Sequence, residues 1–131
     1  MPQPEGKVLF EAAEAGKLDE VEAAVDAGAP MEWANPDARG LRAVHAASEN
    51  GHNDVVAFLG SRGADVNAVA DYHQLTPLVF AAAYGHTSVC TTLLALGADS
   101  AAKNKWGYTA LDEARQHNHP ECVAVLEAAM R

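Results

Sequence analysis

Residues 76–99 read TPLVFAAAYGHTSVCTTLLALGAD, two short apolar segments parted by Gly85 and closed by Gly97. The second segment carries Val89, Cys90, Leu93 and Leu94 at the i, i+1, i+4, i+5 spacing of one helix face. Outward from this stretch, the Gly97-Ala98 pair recurs as Gly63-Ala64 and Gly28-Ala29, at spacings of 34 and 35 residues. Another glycine stands twelve residues ahead of each pair, at Gly85, Gly51 and Gly16. His86 and His52 follow the first two, and Asn118-His119 continues that column 33 residues after Gly85. A third column reads Asp37, Asp71 and Asn104. A period of this length is the signature of stacked structural repeats. It accounts for nearly all of the 131 residues.

Each unit reads as helix, turn, helix and connecting hairpin. Gly16, Gly51, Gly85 and Asn118 are the residue types that end a helix in the left-handed conformation. The expectation is an all-α solenoid in one domain, residues 1–131, with short β-hairpin turns between four repeats near 5–34, 35–68, 69–102 and 103–131. The linkers after Gly28 and Gly63 run two and one residues longer than the one after Gly97, so the first two hairpins are expected to be irregular. Gly60 falls in the column of Leu94 and is expected to weaken its helix by ~1 kcal/mol. In the columns that read Val56 and Cys90, the first repeat is assigned Glu22. Where repeat three has Leu94, the first is assigned Asp26 and the last has Glu127. Polar outer faces mark the outer two repeats as caps and predict a complete small protein.

The chain carries 9 basic and 18 acidic residues, a net charge of −9. Nucleic acids and anionic membrane surfaces reward Lys and Arg clusters, so neither is an expected partner. The opening residues Met1-Pro-Gln-Pro-Glu-Gly-Lys7 lack the apolar core of a signal peptide. The longest apolar run, Leu78 to Tyr84, is far short of the ~20 residues that span a bilayer. Cys90 and Cys122 form neither a disulfide framework nor a zinc pair at C-x-x-C spacing. A monomer in the cytoplasm, with the nucleus also open to it, is the expected setting, and both thiols are expected to be reduced and buried.

Thr76-Pro-Leu78, Ala81-Ala82, Tyr84-Gly85-His86 and Leu93 to Asp99 resemble an ankyrin repeat. So do His45-Ala-Ala47, Gly51-His52, Val55-Val56 and Gly63 to Asn67, and the resemblance runs over residues 5–131. It implies a non-catalytic protein–protein interaction module whose hairpin tips and first helices form a concave contact surface. Arg42 stands where the family has Thr, which deprives His45 of its usual hydroxyl partner. Gly16 to Glu22, with Leu75 to Leu78 and Tyr108 to Leu111, is similar to the small free-standing ankyrin proteins of the myotrophin type. That likeness implies sequestration of actin-capping protein as an alternative, and a regulatory or scaffold subunit is a further one. Leu59 and Asp65-Val-Asn67 resemble the sites that ankyrin asparaginyl hydroxylases accept, which makes Asn67 a modification candidate beside a bracing role in its hairpin.

The chemical candidates are weaker. His52, His86 and His119 line up along the stack, but adjacent repeats stand ~10 Å apart, about one helix diameter. Zinc needs nitrogens ~2.0–2.1 Å from the ion, so the column cannot share a metal. A backbone hydrogen bond at the helix–helix turn is the expected role. No G-x-S-x-G, H-E-x-x-H or glycine-rich phosphate loop occurs, and the reading is no enzyme, no cofactor and no metal.

The aromatic residues point to recognition. Phe10, Phe58 and Phe80 fall in core columns. Tyr72, Trp106 and Tyr108 fall in hairpins, and Tyr84 ends a first helix. Tyr and Trp are the types enriched at interface hot spots. Arg39, Lys103 and Lys105 share those hairpins, whereas residues 1–34 hold eight acids and two bases. The partner-binding candidates are Arg39, Leu41, Tyr72, His73, Tyr84, Lys105, Trp106 and Tyr108.

Overall fold

In a computed structural model, which describes residues 5–131, eight helices follow one another in antiparallel pairs. Met1 to Pro4, the start of the segment read as lacking a signal core, lie outside the described residues. The pairs are α1 (Glu5–Ala15) with α2 (Leu18–Asp26), α3 (Ala43–Glu49) with α4 (Asn53–Ser61), α5 (Pro77–Ala83) with α6 (Thr87–Ala95), and α7 (Ala110–Gln116) with α8 (Pro120–Ala129). First helices pack on first helices (α1, α3, α5, α7) and second on second (α2, α4, α6, α8), giving two layers. None of these helices is long and apolar enough to cross a membrane.

The helix starts follow from local chemistry. Thr76 caps α5 by accepting the Val79 N–H at 3.3 Å, with Pro77 in the first turn where its missing N–H costs nothing. Thr109 and Asp112 form a reciprocal capping box on α7, at 3.3 and 2.9 Å. At α3 the cap residue is Arg42, which has no acceptor to offer. Half of the box survives, because His45 Nδ1 accepts the Arg42 N–H at 3.0 Å.

The glycine column is explained by two constraints at once. Gly16, Gly51 and Gly85 have φ of 74°, 74° and 76°, and the histidine ring of the next repeat lies against each. A Cβ there would sit 2.5–2.7 Å from Nδ1 of His52, His86 and His119. The same rings donate from Nε2 to carbonyls of the preceding repeat, Glu14 at 3.0 Å, Glu49 at 2.8 Å and Ala83 at 3.0 Å. The histidines are staples between repeats. Among the described residues, no group of three or more His, Cys, Asp or Glu side chains is placed to hold a metal.

One apolar core runs through all four units, from Leu9 and Val21 through Val56 and Leu59 to Leu93 and Leu126. A smaller cluster of Phe10, Leu41, Ala46, Ala70 and Phe80 lies beside it, with Leu75 packed against it. Cys90 and Cys122 are free and fully buried. Burial, then the neighbouring Cys122 thiol, pushes the Cys90 thiol up to about 12.

Two expectations are corrected. The helix phase of the first repeat is set by its left-handed Gly16, so the columns of Val56 and Leu94 hold Val21 and Val25 in place of Glu22 and Asp26. Val21 is fully buried, while Asp26 is exposed and pairs with Arg62 at 2.8 Å. The third column is Asn35, Ala70 and Asn104, each seven residues after its Gly28, Gly63 or Gly97 and each buried. Asp37 and Asp71 were misaligned because the extra linker residues lie beyond this column, in the hairpin tips. At Gly60, in the Leu94 column, Leu96 fills the space, and an added Cβ would meet Leu96 Cδ1 at 2.4 Å.

Candidate functional site

The three hairpins project as fingers from the first-helix layer. Finger 1 is closed by the Asn35 N–H to Leu41 carbonyl bond, finger 2 by Ala70 to Leu75, and finger 3 by Asn104 to Tyr108. The closures span six, five and four residues, so the longer linkers of the sequence become longer tips. No strand forms among the described residues; the Asn35–Leu41 pair is an isolated antiparallel bridge. Finger 3 needs one left-handed residue, Gly107 at φ 85°. Finger 1 uses Arg39 and Gly40, at 61° and 73°, and finger 2 uses His73 and Gln74, at 53° and 57°. Neighbouring fingers are tied by backbone bonds, Tyr72 N–H to the Arg39 carbonyl at 3.2 Å and Lys105 N–H to that of His73 at 2.9 Å.

The fingers are braced differently at their bases. In finger 3, Asn104 Oδ1 accepts the N–H groups of Trp106 and Tyr108 at 2.9 and 3.0 Å. Its Nδ2 donates to Glu113 at 3.1 Å. Finger 2 has Ala70 at that position and is held from below by His45, whose Nε2 donates to the Ala68 carbonyl at 2.8 Å. With Nδ1 accepting from Arg42, this imidazole is the neutral Nε2–H tautomer. Burial holds its pKa down to about 4.

These braces place a ladder of flat groups along the finger tips. The Arg39 guanidinium lies 5.2 Å from the centre of the Tyr72 ring. His73 follows, 3.8 Å from Tyr72 and 4.4 Å from Trp106 between ring centres. Opposite stands Tyr84, 56% exposed, at the C-terminal end of α5. Between ladder and helices lies a groove of about 540 Å³ with Leu75, Val79, Phe80 and Ala83 in its wall and Glu113, His117 and His119 at its α7 end. Arg39 Nη2 reaches both oxygens of Glu49 at 3.0 and 3.1 Å, and that contact raises its pKa. Glu113 is likewise engaged, by Asn104 and by His117 Nε2 at 3.3 Å.

Of the partner-binding candidates, Arg39, Tyr72, His73, Tyr84 and Trp106 therefore line one groove. Lys105 and Tyr108 are exposed on finger 3 but do not line it. Leu41 is withdrawn as a contact residue: it is 1% exposed and packs with Phe10 and Phe80 under the fingers, the fate of an apolar side chain at a hairpin base. Asn67 is an exposed bridge between hairpins, its Oδ1 accepting the Asp99 N–H at 2.7 Å and its Nδ2 donating to the Gly97 carbonyl at 3.2 Å.

Glu49, Glu113 and His117 were missed. His117 was findable, since it precedes Asn118 as Tyr84 precedes Gly85. Glu113 stands in the column of Phe80, where polarity was itself a signal.

The family model for ankyrin repeats (many copies) matches residues 44–94 and 78–127. The potassium channel KOR2 of Oryza sativa subsp. japonica is 48% identical over 59 residues, 45% of this chain and 8% of that protein. The RelA-associated inhibitor of Mus musculus is 38% identical over 92 residues, 70% of this chain and 11% of that protein. A putative ankyrin repeat-containing protein of Treponema pallidum (strain Nichols) is 35% identical over 96 residues, 73% of this chain and 32% of that protein. The chain spans a third or less of each of these relatives.

Proposed function

The chain belongs to the ankyrin-repeat family, a family of non-catalytic protein–protein interaction modules, and from that premise we propose that it binds a partner protein through the groove between its fingers and first helices. One observation carries this reading: Trp106, Tyr84 and Tyr72 are 55%, 56% and 39% exposed around a single groove, although the core has no use for them there. Exposed aromatics gathered in a concavity mark an interaction site better than singly scattered ones do. The net charge of −9 supports a protein partner over nucleic acid or an anionic membrane. Two buried, free thiols are compatible with a reducing compartment such as the cytoplasm.

Affinity capture with quantitative mass spectrometry tests the reading. A partner held by the wild type and by Ser88→Ala, on the far layer, should be lost with Trp106→Ala and with Tyr84→Ala. A partner retained by both groove variants places the interface elsewhere.

A further inference from the structure

The groove's own chemistry narrows what can fill it, and this inference rests on the groove being the contact surface. We propose that it takes an extended, proline-rich segment of the partner, in the polyproline II conformation with prolines three residues apart.

Three properties of the groove lead there. The first is charge. Arg39 is committed to both oxygens of Glu49 and to the face of Tyr72, and Glu113 is committed to Asn104 and His117. These groups already have polar partners, so a charged ligand side chain gains less from the walls than it would from an unpaired charge.

The second property is hydrogen bonding. The exposed Trp106 ring offers an N–H and no acceptor, and the hydroxyls of Tyr72 and Tyr84 can donate as well. A ligand with free acceptors can use these donors. A polyproline II segment has solvated backbone carbonyls, and its prolines carry no N–H to leave unsatisfied.

The third property is spacing. Polyproline II rises ~3.1 Å per residue with three residues per turn, so equivalent side chains recur every ~9 Å. Along the ladder the ring centres of Tyr72, His73 and Trp106 stand 3.8 and 4.4 Å apart in turn, so one turn of such a ligand spans from finger 2 to finger 3. A proline against the groove-side edge of Tyr72, whose ring Arg39 and His73 flank, thus brings the proline three residues on to Trp106 of finger 3, with Tyr84 closing the opposite side. Aromatic-walled grooves suit such preformed, low-entropy ligands. Single-stranded nucleic acid also stacks on aromatic steps, but its phosphates would find Arg39 already paired and a net charge of −9.

The test selects a random dodecapeptide phage library on the immobilised 131-residue chain, with Trp106→Ala and Tyr84→Ala chains as controls. Labelled consensus peptide, its proline-to-alanine version and a (dT)12 oligonucleotide are then compared by fluorescence anisotropy. The expected consensus holds two prolines three residues apart. Binding should weaken at least tenfold when those prolines become alanine and at least tenfold on Trp106→Ala, with circular dichroism unchanged. A Trp106-dependent consensus without prolines, an alanine peptide that binds equally, tighter binding of (dT)12, or no enrichment overturns the proline-rich ligand and leaves the groove to the capture experiment. Peptides that bind wild type and Trp106→Ala alike overturn both.

Discussion

Fingers 2 and 3 occupy equivalent places in successive repeats, yet they are built on different physics. Finger 3 is short, turns on one left-handed glycine, and is stitched by Asn104 to its own backbone and to α7. Finger 2 is one residue longer and turns on two non-glycine residues, His73 and Gln74. Its base is pinned by a buried neutral imidazole from the repeat before it. The added residue places the His73 ring between Tyr72 and Trp106, at the cost of backbone strain. Strain of this kind concentrates at functional sites. Repetition sets where a finger stands, and small local departures set what it presents.

The largest expected effect separates the two braces by pH. His45 has a folded pKa of about 4, below its ordinary value. A group with a depressed folded pKa contributes stability that is complete above the unfolded value near 6.5 and is lost as pH falls to about 4. The loss across that window should be roughly 3 kcal/mol. Protonated His45 would turn an N–H on Nδ1 toward the Arg42 N–H. Urea titrations at pH 7.5 and 4 should show this drop, and His45→Gln should flatten the difference between the two. Hydrogen exchange should report finger 2 opening in acid before finger 3. An unchanged pH slope in the variant would show that His45 is not the brace.

Next in size is the other brace. Asn104→Ala removes two bonds to finger 3 and one to Glu113, and should cost about 2 kcal/mol in urea unfolding. Placing the same amide at Ala70 should not help finger 2. Ala70→Asn puts a polar group among Phe10, Leu41 and Phe80 and should destabilise by ~1 kcal/mol or more. A stabilised Ala70→Asn would mean that the two fingers are interchangeable after all.

Trp106→Ala should leave stability within ~1 kcal/mol, since the ring is more than half exposed. The same change should weaken partner binding by ~2 kcal/mol, as loss of an aromatic anchor does. Thermal unfolding beside titration calorimetry reads both quantities. Unfolding of the last repeat with binding intact would make Trp106 a cap and remove finger 3 from the site.

The smallest effect has the opposite sign. Gln74→Gly relieves the φ of 57° and should stabilise by ~0.5–1 kcal/mol. At finger 3, Gly107→Ala should cost a similar amount, because φ there is 85° with open space around it. Denaturant midpoints for the pair check the strain directly.

By itself, the sequence determined the period, the helix pairs, the left-handed ends at Gly16, Gly51 and Gly85, and the aromatic weight of the later hairpins. These are readable because caps, turns and helix faces depend on residues within a few positions of one another. The difference in finger length was legible too, as two and one additional residues in the linkers. Tertiary structure alone decided which residue fills a finger's base, and so Asn35 and Ala70 replaced Asp37 and Asp71 in the column of Asn104. It buried Leu41, turned Lys105 and Tyr108 away from the groove, and paired Arg39 with Glu49 ten residues on. Those outcomes are set by which neighbouring repeat a side chain meets, at distances where charge, stacking and exclusion of water compete. No local pattern of residue types encodes that competition.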